Sequence, residues 1–350
     1  MRDLFRYILL PAGVGALIGL SLLALSHLQQ PRTGFAEAVA RAAPAVVNIY
    51  TSARVRPAFC ERPEYSDWCD RMSRRTGNQV QSSLGSGVIV HSDGFILTNN
   101  HVVANADEVL VAFHNGQATT ATIIGTDLET DLAVIKVQAS GLTAIPMGNS
   151  DAVAVGDVAL AIGNPFGLGQ TVSAGIISAK GRMGITESPY SDFLQTDAAI
   201  NLGNSGGALI NATGELIGIN TLIFTRSGGS EGIGFAIPER LAMKVLKHLV
   251  ETGEVIRGWL GLELGAAPAP GARTGLRVNA VLYDGPAYRA GLRVGDLVQA
   301  VDGVPASAAV PVSRQIADAE PGQRLKLAIE RGGETRILEA VAIERPALRP

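Results

Sequence analysis

Charge is scarce in this sequence. Only 17% of the 350 residues are charged, and 29 Lys and Arg against 32 Asp and Glu leave a formal net charge of −3. A protein that works on nucleic acid needs a basic face to neutralise phosphates, and this balance excludes that class. Aromatic residues are few as well, at 5%, and the only two cysteines are Cys60 and Cys69. There is no internal repeat and no Walker-type phosphate loop, and the glycine spacing of GNPFGLG (163–169) is wrong for a dinucleotide fingerprint. What is plentiful is Val, Ile, Leu and Ala, the material of a folded core, together with 41 glycines. Glycine weakens helices, so that number points to many turns between short strands. The length suggests about two domains.

An uncharged run over 7–25 (YILLPAGVGALIGLSLLAL) follows Arg2 and Arg6. As a helix it spans about 28 Å, close to the hydrocarbon thickness of a bilayer. The leading arginines favour an inside N-terminus, which sends everything after His27 across the membrane. A cleaved signal peptide is the competing reading, with ALS at 24–26 as a small-residue cleavage site. The run is long for a signal peptide's apolar region, so a retained anchor over 1–28 is expected. Both readings export the rest of the chain. Cys60 and Cys69 fit that location, since an even count outside the cytosol suggests a disulfide closing a surface loop. Two free thiols are the alternative, and no histidine lies nearby to complete a zinc site.

After a short polar linker, 35–51 (FAEAVARAAPAVVNIYT) begins with helical spacing and turns strand-like at 46–50. Residues 52–82 are rich in Arg, Pro and Ser without an apolar period, and are expected to form a long exposed loop. From about 85 to 236, short β-branched runs such as GSGVIV, GFILTNN, LAVIKV, VALAIG and GIGFAI alternate with turn residues. That pattern indicates an all-β sandwich or a pair of barrels. Residues 238–253 (PERLAMKVLKHLVETG) read as an amphipathic helix opened by proline and closed by glycine. The chain then restarts with a smaller unit that alternates strand, turn and short helix and ends in a hairpin. The expected domains are 29–256 and 257–347.

Near the middle lies NLGNSGGALI (201–210), a serine among glycines just before an apolar strand. It can be an ordinary tight turn, or a hydroxyl held on a sharply bent backbone beside outward-pointing amides. A serine hydroxyl is a poor nucleophile at neutral pH and needs a base, itself oriented by a third group. Of the five histidines, His27 ends the apolar run, His248 lies in the helix, and His91 and His114 fall beside hairpin turns. His101 follows the strand of ILTNNHVV, with apolar flanks that would bury it in part. Taken alone, such a histidine reads as structural. Asp131 opens DLAVIKV and is either a turn residue or an orienting carboxylate, with Asp127 as its obvious decoy. His101, Asp131 and Ser205 all sit at strand ends in one β-rich domain, in that order.

TNNHVV, TDLAVIKV and NLGNSGGALI, in that order and followed by one C-terminal module, resemble the HtrA family of trypsin-like serine proteases. The resemblance runs through AIGNPFGLGQTVSAGIIS, FLQTDAAIN and GIGFAIP, and so covers nearly the whole chain. It implies a mostly β fold: a trypsin-like double barrel with the site between the barrels, followed by a PDZ domain. It also implies His101 as general base, Asp131 as its orienting carboxylate and Ser205 as nucleophile. The N–H groups of Gly203 and Ser205 would bind the oxyanion, with Asn204 shaping the turn. Ala199, six residues before the nucleophile, and Leu222 would line the pocket for the residue preceding the cleaved bond. No metal or cofactor is expected.

RGWLGLEL (257–264) resembles a PDZ carboxylate-binding loop, which implies a peptide-binding site at Trp259, Leu260, Gly261 and Leu262. A single PDZ domain with a membrane anchor resembles the anchored branch of the family. That branch implies a homotrimer at the bacterial inner membrane, single-pass, with its protease and PDZ domains in the periplasm. Its substrate would be a membrane-spanning anti-sigma factor, and its activators the C-terminal peptides of misfolded outer-membrane proteins. Arg182, in SAKGRMGI, matches the arginine that links PDZ occupancy to the oxyanion hole. The 52–82 loop with its cysteine pair departs from that branch, as does the proline-rich tract 265–273. The alternatives are a general envelope quality-control protease and a non-catalytic peptide-binding scaffold; the intact triad argues against the scaffold. Asn211-Ala212-Thr213 fits a glycosylation acceptor but reads as a hairpin turn. The uncharged Ala199 generates a prediction about cleavage. On a panel of peptides varied only before the scissile bond, Val and Ala are expected to be preferred and Arg to be cleaved poorly.

Overall fold

The computed structural model describes residues 34–55, 79–164, 169–182, 185, 192–201, 203–223, 231–265, 275–306 and 309–346. The expected anchor over 1–28 and the Cys60 and Cys69 pair lie outside the described residues. Among those that are described, no helix is long and apolar enough to cross a membrane.

β-Branched runs with a period of two form six strands in the first half of the larger, N-terminal unit: β1 (Val46–Val55), β2 (Gln79–Ile89), β3 (Phe95–Asn99), β4 (Glu108–Ala112), β5 (Ala118–Asp127) and β6 (Leu132–Val137). They close into a barrel in the order β1-β2-β3-β6-β5-β4. Strand β4 shows the alternation plainly, with Val109 and Val111 buried between exposed Glu108 and Leu110. Ile49, Ile96, Leu97, Val134 and Ile135 are fully buried on the two faces of this sheet. The β1–β2 ladder continues from Val46↔Val88 to Val55↔Gln79. Residues 52–55 and 79–82, expected in the long loop, are therefore strand, and the connection shortens to 56–78. Backbone pairing needs no apolar period, so the ladder carries on past the core through Ser and Gln positions that leave no hydrophobic signature.

A second set repeats the design: β7 (Val158–Gly163), β8 (Thr171–Arg182), β9 (Phe193–Thr196), β10 (Ala208–Ile210), β11 (Leu216–Ile223) and β12 (Gly234–Pro238). The order β10-β11-β12-β9-β8-β7 closes the second barrel. Between β10 and β11, Asn211 Oδ1 accepts the N–H groups of Thr213 (3.0 Å) and Glu215 (2.9 Å), the hairpin turn read from INATGE. Helix α1 (Ala36–Ala42) leads into the first barrel and the four-residue α2 (Asn100–Val103) follows β3. Helix α3 (Glu239–Thr252) lays Ala242, Val245 and Leu249 onto the core and ends at Gly253, whose φ of +81° suits a residue without Cβ.

The C-terminal unit begins with β13 (Gly258–Trp259), β14 (Leu262–Leu264), β15 (Leu276–Val281) and helix α4 (Pro286–Arg289). It continues through β16 (Leu297–Val301), β17 (Val304–Pro305), helix α5 (Ala309–Asp318), β18 (Arg324–Arg331), β19 (Glu334–Val341) and β20 (Ile343–Glu344). The main sheet runs β14-β15-β16-β18-β19, with β17 off β16, while β13 pairs with β20. Among the described residues, the outer edge of β14 has no strand beside it. Ion pairs fasten this unit to the barrels. Arg257 meets Asp127 (2.6 Å) and Glu129 (3.2 Å), Arg345 meets Glu129, and Arg314 of α5 meets Asp192 (2.5 Å).

Within the unit, Asp296 is 2% exposed and bonds Arg331 through both carboxylate oxygens at 2.7 Å. Burial pushes its pKa up, but the Arg331 hydrogen bonds, the Arg293 amide and the two guanidinium charges outweigh that and hold it below the ordinary carboxylate value. A pKa depressed on folding adds stability above the unfolded value, and that stability is lost as pH falls through the folded one. Arg331→Ala leaves a buried carboxylate without its partner, at a cost of about 3–5 kcal/mol. Thermal melting of this unit is expected to show that loss at pH 7 and a smaller difference between variant and parent below about pH 4, where the carboxyl is neutral in the unfolded chain.

Candidate active site

The site forms where the ends of β3, β5 and β11 meet the turn before β10. Strand β3 stops at Asn99 and the chain bends into α2, which buries Val102 and Val103 and leaves the His101 side chain 49% exposed. This is more open than its apolar flanks suggested, because the two valines take the inward positions. The turn after β5 ends at Asp131 with φ +56°, a left-handed conformation that aspartate tolerates better than most residues. Two donors fix that backbone: Asn100 N–H (3.0 Å) and Asn99 Nδ2 (2.8 Å) both bond the Asp131 carbonyl.

Three donors then converge on the carboxylate. His101 N–H reaches Oδ1 at 3.0 Å, His101 Nδ1 reaches Oδ2 at 2.7 Å, and Thr221 Oγ1 of β11 reaches Oδ2 at 2.9 Å. A carboxylate oxygen accepts, so Nδ1 carries a proton, and in the neutral imidazole Nε2 is then the acceptor. Asp127, the decoy, turns away to Thr130 and Arg257. His248 sits in α3, where burial, helped by the Lys244 charge, pushes its pKa down. It takes no part in the cluster.

Ser205 lies on a turn bent by Gly203 (φ +95°) and Gly206 (φ +82°). Its hydroxyl donates to the Thr221 carbonyl at 3.1 Å, and among the described residues no hydrogen bond joins it to His101. Thr221 thus holds Asp131 through its side chain and Ser205 through its backbone. The turn leaves no room for side chains. A Cβ on Gly206 would lie 2.1 Å from the Ser86 carbonyl, and one on Gly207 2.2 Å from that of Ile162. Asn204 N–H bonds Asn201 O (3.0 Å), Gly206 N–H bonds Asn220 O (2.8 Å) and Gly207 N–H bonds Asn204 O (2.9 Å). The N–H groups of Gly203 and Ser205 have no acceptor among the described residues. Two spare amides beside a hydroxyl are what a developing oxyanion requires.

The other candidates fall at three places. Ala199 is half-buried, with its carbonyl accepting Ser173 Oγ at 2.6 Å, and Leu222 lies in β11 opposite Phe235. Arg182 ends β8 and bonds Gln195 Oε1 through Nε at 2.9 Å. In the C-terminal unit Trp259 is half-buried on the β13–β20 pair and Leu260 is buried in the core. The carbonyls of Leu260 and Gly261 accept Ala287 N–H (2.9 Å) and Leu282 N–H (2.8 Å). In a trans peptide the N–H points opposite to its C=O, so the amides of Gly261 and Leu262 face the other way. The sequence reading missed Thr221, Asn99 and Ser86, because hydroxyl and amide side chains on strands are common and carry no spacing signal.

A trypsin-like peptidase domain family matches residues 85–219, and a PDZ domain family matches 252–341. The serine endoprotease DegS of Escherichia coli (strain K12) is 43% identical over 322 residues, covering 89% of this chain and 86% of that protein. The structure of the HtrA-type protease AlgW with a decapeptide superimposes with a TM-score of 0.77 at 45% identity, over 90% of this chain and 99% of that one. A serine endoprotease from Yersinia pestis superimposes with a TM-score of 0.68 at 41% identity, over 91% of this chain and 100% of that one. The carboxylate geometry generates a prediction. Asp131→Asn keeps the size but replaces an acceptor of three bonds with an amide that must turn its NH2 toward one of the donors. kcat for peptide hydrolysis is expected to fall about 10⁴-fold, with KM little changed.

Proposed function

We propose, on the premise that this chain belongs to the HtrA family of serine proteases and is a serine endopeptidase with a single PDZ domain, that it makes a regulatory first cut in a membrane-spanning anti-sigma factor. In this reading Ser205 turns its hydroxyl from the Thr221 carbonyl to His101 Nε2, which takes its proton as the oxygen attacks the scissile carbonyl. Asp131 stabilises the imidazolium, and the amides of Gly203 and Ser205 receive the oxyanion beside Asn204. The tetrahedral intermediate collapses when His101 returns the proton to the leaving amine. Ala199 and Leu222 line the pocket for the residue preceding the cleaved bond. The observation that supports the chemistry is the convergence of His101, Thr221 and Ser205 around one carboxylate-anchored cluster.

Regulation belongs to the PDZ domain. The outward amides of Gly261 and Leu262, beside the open edge of β14, suit a terminal carboxylate whose chain extends the sheet. The ligands in this reading are C-termini of misfolded outer-membrane proteins, and Arg182 links their binding to the oxyanion turn. The enzyme works as a homotrimer anchored in the bacterial inner membrane through 1–28, with both domains in the periplasm. A general envelope quality-control protease is the second reading, favoured by the periplasmic serine endoprotease DegP of Escherichia coli (strain K12). DegP is 45% identical over 269 residues, covering 74% of this chain and 57% of that protein.

Digestion of periplasmic domains of membrane anti-sigma factors tests the choice. Peptides ending in a free carboxylate are expected to raise kcat/KM about 5- to 150-fold, the usual range of allosteric coupling, while amidated versions do nothing. Arg182→Ala is expected to abolish the activation and leave peptide affinity intact. Equal cleavage of unrelated unfolded proteins would favour the quality-control reading.

A further inference from the structure

Ser86 lies in β2 of the first barrel and is fully buried. Its N–H and hydroxyl are engaged across the seam with the second barrel, and its carbonyl is engaged within the first. Its N–H donates to the Ser205 carbonyl at 2.8 Å, and its hydroxyl donates to the Gly203 carbonyl at 2.7 Å. The same hydroxyl accepts the N–H of Asn164, just beyond β7, at 3.0 Å. Its carbonyl accepts the Thr98 hydroxyl at 2.7 Å.

These contacts bracket the nucleophile. A peptide unit is planar, so holding the Gly203 oxygen sets the plane between Gly203 and Asn204, and holding the Ser205 oxygen sets the plane between Ser205 and Gly206. The Ser205 amide lies in the plane between them and is restrained from both flanks. Gly203, with φ +95°, has no side chain to resist a rotation, so its carbonyl needs an outside partner to keep one orientation. The Ser86 hydroxyl is that partner, and the Asn164 amide fixes which way the hydroxyl points.

We infer that Ser86 is a positioning residue for the oxyanion site: its side chain holds the Gly203 carbonyl so that the Gly203 and Ser205 amides stay aimed at the developing charge. It touches neither substrate nor reacting atoms and acts through the turn. The inference rests on Ser205 and its neighbouring amides being the reacting centre.

Ser86→Ala in the purified full chain deletes one buried oxygen and adds nothing, so it fits the existing space. Thr98→Val is the comparison, because it removes a buried hydrogen bond to Ser86, within the first barrel, that does not reach Gly203. Rates are normalised to the folded fraction read by near-UV circular dichroism. For Ser86→Ala, kcat is expected to fall about 10- to 100-fold, less than the loss of a whole oxyanion donor, with KM within about two-fold. The affinity of a peptide boronic acid, which forms a tetrahedral adduct with the serine, should fall by the same factor as kcat/KM. Thr98→Val should lower the melting temperature and leave kcat within about three-fold. The inference is overturned if Ser86→Ala retains parental kcat per folded molecule, if the loss appears in KM alone, or if Thr98→Val loses as much kcat. Loss of all hydrolysis in Ser205→Ala is required by the underlying reading. Its retention would sink that reading separately.

Discussion

The whole cluster of His101, Asp131 and Ser205 depends on a seam of hydrogen bonds between two barrels that share no strand. His101 and Asp131 belong to the first barrel and Ser205 to the second, so their relative position is only as good as the contacts that join the two. Those contacts are polar and wholly or partly buried: Thr221 to Asp131, Asn99 to Thr221, and Ser86 to the turn at 203–205. Apolar packing alone would bring the barrels together without fixing their register, since it is non-directional. Hydrogen bonds with no water to replace them are costly to break, and that asymmetry sets the alignment.

The same turn shows how volume enforces geometry. Gly206 and Gly207 touch backbone carbonyls of both barrels, so the loop is pressed into its bend from outside as well as permitted it from within. On the opposite side of the cluster, the turn that ends at Asp131 begins at Asp127, which Arg257 holds at the boundary with the C-terminal unit. One short turn therefore carries the carboxylate that holds His101 at one end and a partly buried interdomain ion pair at the other.

Much of this was legible in the sequence. The β-branched runs gave away both barrels, Pro238 and Gly253 bounded the helix, and the order His101, Asp131, Ser205 picked out residues that the fold brings to one seam. What could not be read has identifiable physical causes. Strands β1 and β2 extend into 52–55 and 79–82 through backbone pairing, which does not depend on an apolar period. Thr221 and Ser86 are single hydroxyls whose importance lies entirely in what they face across the seam. At the loop with Trp259 and Leu260, the carbonyls of Leu260 and Gly261 are bonded and the amides of Gly261 and Leu262 point the other way, a backbone direction that no motif spells out.

The edge of β14 is three residues long, and Glu263 stands on it exposed. A long apolar edge would template any extended chain, whereas a short one carrying a charge offers only a few ladder bonds. Alone, that is too little to retain the middle of a polypeptide. A partner must gain the rest at the neighbouring pair of amides, which a terminal carboxylate can satisfy and an internal peptide group cannot match. On the proposed reading the short edge would act as a filter for free chain ends, distinguishing a protein that has released its terminus from one that still keeps it folded away.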